Sequence, residues 1–248
     1  MIADGLARYA GRLKLVLSRR ALRGIAGART GTSAGSSLEF HDYRDYHPGD
    51  DVRLIDWNVF ARSDRETIRR HREEISPVLD LKLDDSASMD FADGAPRACA
   101  QAFADLLENA AMRAGCRVRR DAPRPAARSV RVFLSDLLLP DDPAAVLAPL
   151  ARDAAALHVI RLLPALERDP PLGGTYRCID AETGAERELA FDAETLAAHA
   201  EALRRHTESW AAAIRRFGGT FTDLTVETDT AESAVRALLD QSVVEVVG

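Results

Sequence analysis

The apolar positions of the chain change rhythm twice. At the N-terminus Leu6, Tyr9, Leu13 and Val16 recur every three or four residues among Arg8, Arg12, Lys14, Arg19 and Arg20, which predicts an amphipathic helix packed on its own domain. Residues 27–37 are rich in Gly, Ser, Thr and Ala and read as an irregular connection. From 38 to 74 the pattern is extended and full of turn formers, with Pro48-Gly49-Asp50-Asp51 the clearest turn. Beyond residue 77 aliphatic runs alternate with helical periods. Residues 78–83 (VLDLKL) alternate aliphatics with Asp80 and Lys82 and stop at the polar run 84–88, a strand ending in a loop. Residues 95–114 carry Phe103, Leu106, Leu107, Ala110 and Ala111 at helical spacing.

A strand, a polar loop and a helix begin an α/β unit, and the pattern continues. Residues 117–120 are a candidate strand, 130–134 (VRVFL) a central strand ending at Ser135-Asp136, 144–155 a helix and 158–163 a further strand. Residues 189–217 are mostly helical, and 221–226 and 243–246 are short strands. Residues 176–179 and 187–190 flank Asp180-Ala181-Glu182-Thr183-Gly184 as an inserted hairpin.

With 248 residues, 46% of them hydrophobic, the chain can bury a core, which excludes a disordered, collagenous or disulfide-stapled protein. Residues 1–77 hold 14 basic and 11 acidic side chains, and the remainder 19 and 28. The arginines at 62, 65, 69, 70 and 72 are interleaved with Asp64, Glu66, Glu73 and Glu74, so a self-paired face is expected rather than a nucleic-acid surface. Cys99, Cys116 and Cys178 are an odd, widely spaced set without zinc or disulfide spacing, which fits a reducing cytosol. No run reaches the ~18 apolar residues of a membrane span. The expectation is a cytoplasmic protein without a membrane span.

Two polar loops fall at the carboxyl ends of predicted central strands, where open parallel sheets place their ligands. In Asp84-Asp85-Ser86-Ala87-Ser88 the D-x-S-x-S spacing lets one carboxylate and two hydroxyls converge from one turn on a hard cation, and Asp136 could add a water-mediated carboxylate. The competing reading is that Asp84, Ser86 and Ser88 cap the following loop and helix.

The string from Gly35 to Arg62, containing E-F-x-x-Y-R-x-Y-x-P-G-D-D-x-R-x-I-D-W, followed by L-D-D-S-A-S-M at 83–89, resembles the bacterial domain-of-unknown-function family 58. F-L-S-D-L at 133–137, D-x-E-T-G at 180–184, and Gly219, Phe221 and Asp229 resemble it too. The resemblance implies a von Willebrand factor A-like α/β fold, a mostly parallel sheet flanked by helices, and a metal-ion-dependent adhesion site. Its ligands here would be Asp84, Ser86, Ser88 and Asp136, with a threonine from another loop. It also implies a partnership with a MoxR-type AAA+ ATPase, acting on a client protein.

One departure bears on the metal. No threonine occurs between Thr67 and Thr175, and only residues 121–129, with Pro123 and Pro125, separate the strands at 117–120 and 130–134. A parallel crossover needs about a dozen residues or more, usually with a helix, so a strand, a helix and the threonine loop are expected to be missing. The expected domain at 78–248 is therefore truncated, with fewer strands, and carries the hairpin near 175–190. It follows an N-terminal helix and extended family segment at 1–77. Magnesium is expected to be held weakly or not at all.

Within the family segment Tyr43, Arg44, Asp50, Arg53, Asp56, Trp57 and Arg62 are binding candidates, because Trp, Tyr and Arg anchor interfaces. The alternating charges of 42–62 equally suit an internal ion-pair network. An enzyme is not expected. There is no G-x-x-x-x-G-K-[ST] string, and Ser86 stands where a phosphoryl-transfer site of the haloacid-dehalogenase type has a second aspartate.

Overall fold

The computed structural model describes residues 2–18, 21, 39–72 and 76–247. The expected connection at 27–37 lies outside them. The chain divides into two units, Met1–Ala21 with Pro77–Gly248, and Leu22–Ser76. The N-terminal residues thus belong to the larger unit, which corrects the expected boundary that grouped all of 1–77. The long N-terminal helix is also corrected. Helix α1 (Ile2–Leu6) passes through one 3-10 turn into strand β1 (Leu13–Leu15), which pairs antiparallel with the last strand of the chain (Val244–Val246). Leu13 and Leu15 are both buried with Lys14 between them, a period of two that only a strand can satisfy.

In the smaller unit β2 (Glu39–Asp45) and β3 (Thr67–Arg72) are antiparallel, with a register shift between Phe40 and Asp42. Between them, where extended chain was expected, lies α2 (Trp57–Ser63). Asp56 caps it by accepting from the Asn58 and Val59 N–H groups at 3.0 and 3.3 Å, and Asp64 ends it in a left-handed conformation.

The larger unit is built on five parallel strands, β4 (Val78–Leu83), β5 (Arg117–Arg120), β6 (Val130–Ser135), β7 (Ala156–Leu163) and β10 (Thr220–Thr225), in the order β10-β7-β6-β4-β5. Helices α3 (Phe91–Arg113), α4 (Pro143–Ala151), α5 (Ala165–Arg168), α6 (Ala193–Arg216) and α7 (Ala231–Asp240) connect or follow the strands. The hairpin of β8 (Gly174–Ile179) and β9 (Glu186–Phe191) forms a separate sheet, and β11 (Val244–Val246) pairs with β1. The helix expected over 144–155 ends at Ala151, and the one expected from 189 begins at Ala193, after β9.

Side-chain alternation assigns each face of the sheet. Leu79, Leu81, Val130, Val132, Leu134, Ile160, Leu162 and Leu224 pack with α1, α3 and α7 in one core. Phe133, Leu157 and Val159 point the other way, onto Leu147 of α4 and Trp210 and Ile214 of α6. At β4 the second face carries Asp80 and Lys82 instead of aliphatics. There the link 121–129, which contains neither helix nor strand, lies over the strand: the Ala126 N–H donates to Asp80 at 2.7 Å and the Asp121 carboxylate accepts from the Leu83 N–H at 2.9 Å. Among the described residues, the polar half of VLDLKL is thus the half bonded to this link. Gly5 lets α1 approach α7 closely, since a Cβ there would stand 2.6 Å from the Ala231 Cβ. All three cysteines are free, and burial pushes the Cys99 and Cys116 thiols up to about 12 and about 11.

Candidate functional site

Neighbouring parallel strands β4 and β6 end in register, Leu83 opposite Leu134, so their following loops leave the sheet side by side. The Asp84 N–H donates to the Leu134 carbonyl at 2.9 Å, carrying the ladder one step beyond β4. One Asp84 oxygen accepts from the Ser86 N–H at 2.9 Å and the other from the Ser135 hydroxyl, which in turn accepts from the Leu137 N–H at 2.8 Å. The buried Asp84 carboxylate is therefore the tie between the loops. The Ser86 and Ser88 hydroxyls lie 3.0 Å apart, hydrogen-bonded to each other. Arg97 of α3 holds the loop from below, donating to the Ser86 carbonyl at 3.1 Å and pairing with Asp90.

Asp136 is 1% exposed. Its Oδ1 accepts from the Leu138 N–H at 3.0 Å, while Oδ2 is buried without a hydrogen bond. Burial pushes the carboxyl up from its ordinary value. The Leu138 N–H and the Ser88 hydroxyl oppose the shift, the latter without hydrogen-bond geometry, and the Asp84 and Glu182 carboxylates reinforce it. A buried polar atom without a partner is a standing cost, and here the groups acting on the carboxyl are the Ser88 hydroxyl and further carboxylates.

The fold thus brings together Asp84, Ser86, Ser88 and Asp136, all four residues proposed from sequence. It adds three that the spacing did not name: Ser135, Glu167 and Glu182. Glu182, in the turn between β8 and β9, accepts from the Ser88 N–H at 2.9 Å. Glu167 of α5 is half-buried, and burial pushes its carboxyl up from the ordinary value, with His199 opposing and Asp136 adding to the shift. The signal for Glu182 was present in the D-x-E-T-G string, but nothing local says what a turn carboxylate touches.

The donor set suits magnesium in part. Two hydroxyls and an unpaired carboxylate oxygen are hard ligands, whereas Asp84 spends both oxygens on protein donors and could act only through water. Among the described residues no three His, Cys, Asp or Glu side chains are arranged to enclose an ion, so any cation would depend on the serines and on water.

The candidates of the family segment do not converge on one site. Arg44 forks onto Asp50 at 2.6 and 2.8 Å, and the same carboxylate accepts from the His47 N–H at 2.9 Å. Arg44 holds the Asp50 carboxyl below the usual range. Asp51 accepts from the Arg53 N–H at 3.0 Å, and Asp56 is the buried cap of α2. These are local structural roles. Arg53 and Arg62 are exposed, and Trp57 is 62% exposed with its ring edge-on to Phe60 at 6.0 Å. Tyr43 pairs with Arg69 along the β2–β3 ladder; its side chain lies outside the described residues.

Among the described residues no helix is long and apolar enough to cross a membrane. No solved structure matches the chain significantly. Uncharacterized proteins of Mycobacterium bovis and of two strains of Mycobacterium tuberculosis are each 26% identical to it over 272 residues, covering 90% of this chain and 86% of theirs. Residues 42–120, from β2 through the D-x-S-x-S loop to the end of β5, match the family described as Protein of unknown function DUF58.

Proposed function

We propose that the chain is a non-enzymatic protein-interaction module with a von Willebrand factor A-like core, acting in the cytoplasm as an adaptor between a MoxR-type AAA+ ATPase and a client protein. Asp84, Ser86, Ser88 and Asp136 form a degenerate adhesion site that takes magnesium weakly, and a carboxylate from the partner completes it. The observation that carries this reading is the buried, unpartnered Oδ2 of Asp136 beside the Ser86–Ser88 hydroxyl pair. The ATPase partnership rests on the family resemblance, which the match at 42–120 supports. The internal deletion is supported by the helix-free link 121–129, and by relatives that align over 272 residues against this chain's 248.

A second reading, a metal-independent scaffold, is favoured by the engagement of both Asp84 oxygens with protein donors. Magnesium titration followed through the backbone amides separates the two. The adhesion-site reading expects saturable shifts at Ser86 and Ser88 that disappear in Asp136→Asn. Amides unmoved at millimolar magnesium leave the scaffold. ATPase docking through α2 is tested by Trp57→Ala, expected to weaken capture of the ATPase at unchanged melting temperature.

A further inference from the structure

The Ser88 N–H is the one donor of the D-x-S-x-S loop that points to a carboxylate from a distant part of the chain. Its acceptor, Glu182, lies 94 residues away on the hairpin. The turn that carries it is firmly built. Asp180 Oδ1 accepts from the Glu182 N–H at 3.2 Å and from both the N–H and the hydroxyl of Thr183 at 2.7 Å. The Gly184 N–H closes the turn onto the Asp180 carbonyl at 2.9 Å, with Gly184 at φ +68°, a conformation that favours glycine. β8 and β9 meanwhile bury almost nothing of their own, so the hairpin is an arm that presents this tip. The tip meets the site at the Ser88 N–H, on the loop that carries the Ser86–Ser88 hydroxyl pair.

We infer that Glu182 is a built-in ligand of the site, and that the partner's contribution is an acidic side chain on a turn that takes its place at the Ser88 N–H. This rests on the interaction reading proposed above and gives its partner a chemistry: an aspartate or glutamate carboxylate displayed by a short, preorganised loop. An arm tethered to the same chain competes at an effective concentration on the order of millimolar. An external acidic peptide therefore binds weakly while Glu182 is seated, because only the fraction with the arm withdrawn is competent. Release of the arm, for instance when another protein grips the hairpin, would open the subsite.

The test uses the full chain, isotope-labelled, with Glu182→Gln and Glu182→Ala. Glu182 is exposed, and its carboxylate makes one hydrogen bond to the rest of the protein, so both variants should fold. The probe is a capped peptide with the sequence of residues 180–185, DAETGA, and its control carries Gln for Glu. In Glu182→Gln the Ser88 amide proton should move upfield. The peptide should then bind Glu182→Ala at least about tenfold more tightly than the unaltered chain, returning the Ser88 amide downfield, and the control should not bind. An unmoved Ser88 amide in Glu182→Gln overturns the inference. So does equal binding of the peptide to both chains, or none to either. Each titration is repeated with magnesium. If peptide binding follows the expected pattern while the Ser86 and Ser88 amides ignore the metal, the magnesium reading fails and the carboxylate subsite stands.

Discussion

Asp223 and Asp136 belong to the same parallel sheet, one within β10 and the other just past the end of β6, yet their surroundings move their acidity in opposite directions. Burial alone would raise Asp223, but it accepts from Arg161 at 2.8 and 2.5 Å and from Arg168 at 2.6 Å, and the two guanidinium groups hold its carboxyl below the ordinary range. Arg161 is itself 1% exposed and is completed by the Thr207 hydroxyl and the Phe221 ring. At Asp136 burial wins, because its neighbours are one N–H, one hydroxyl and two more carboxylates. A buried carboxylate that serves the fold is given cations, whereas one left among its own kind lowers stability. Such a group persists where function needs it.

The comparison predicts opposite signs for the two aspartates, and the larger effect is at Asp223. Asp223→Ala leaves the buried Arg161 without a counter-ion and should cost about 4 kcal/mol of unfolding free energy, measured by denaturant titration at neutral pH. The depressed carboxyl of Asp223 supplies stability that is present above the ordinary carboxylate value and is lost as pH falls through its folded-state value. The variant should lack that acid-side loss. A change below 1 kcal/mol would remove the structural half of the comparison.

His158 sharpens it with a group that burial simply neutralises. Its ring is 6% exposed and hydrogen-bonded to the Thr220 hydroxyl at 2.7 Å, and burial lowers it from 6.5 to about 4. Between those values the unfolded chain takes up a proton that the folded chain refuses. Stability is therefore complete above pH 6.5 and falls as pH drops toward 4, by about 3 kcal/mol in total. His158→Gln, which can still bond Thr220, should flatten this slope; a slope of unchanged size would place the titration elsewhere.

The strands and one half of the site were legible in the chain because both are local. VLDLKL and VRVFL announce strands by composition and alternation, and D-x-S-x-S and S-D announce their loops. What was illegible is what distant segments add. Arg161 meets Asp223 across 62 residues and Glu182 meets Ser88 across 94, and no periodicity encodes such pairings. Short elements failed for another reason. In α2 seven residues are too few for a periodic face, and only the Asp56 cap marks its start. At Leu13 and Leu15 a helical spacing with Leu6 and Tyr9 competed with alternation, and pairing with β11 decided for the strand. The family segment's charges were legible as a network, but as separate local ones, Arg44 with Asp50 and Asp56 with α2.

The smallest expected effect is the most diagnostic. Asn at position 136 can keep the acceptor for the Leu138 N–H and offers its amide nitrogen where Oδ2 now lacks a hydrogen bond. Because the folded carboxyl is raised, its protonated form is the one the fold prefers. The stability it allows is full below the ordinary carboxylate value of 3.8 and is lost as pH rises through the folded-state value. At neutral pH, well above the ordinary value, the cost is present, so Asp136→Asn should stabilise the protein by about 1 kcal/mol, visible as a higher melting temperature, and the gain should vanish in acid. Magnesium should narrow the gap by stabilising the unaltered chain alone. If Asp136→Asn instead destabilises the protein at neutral pH, Asp136 is a structural aspartate like Asp223, and the contrast between the two carboxylates collapses.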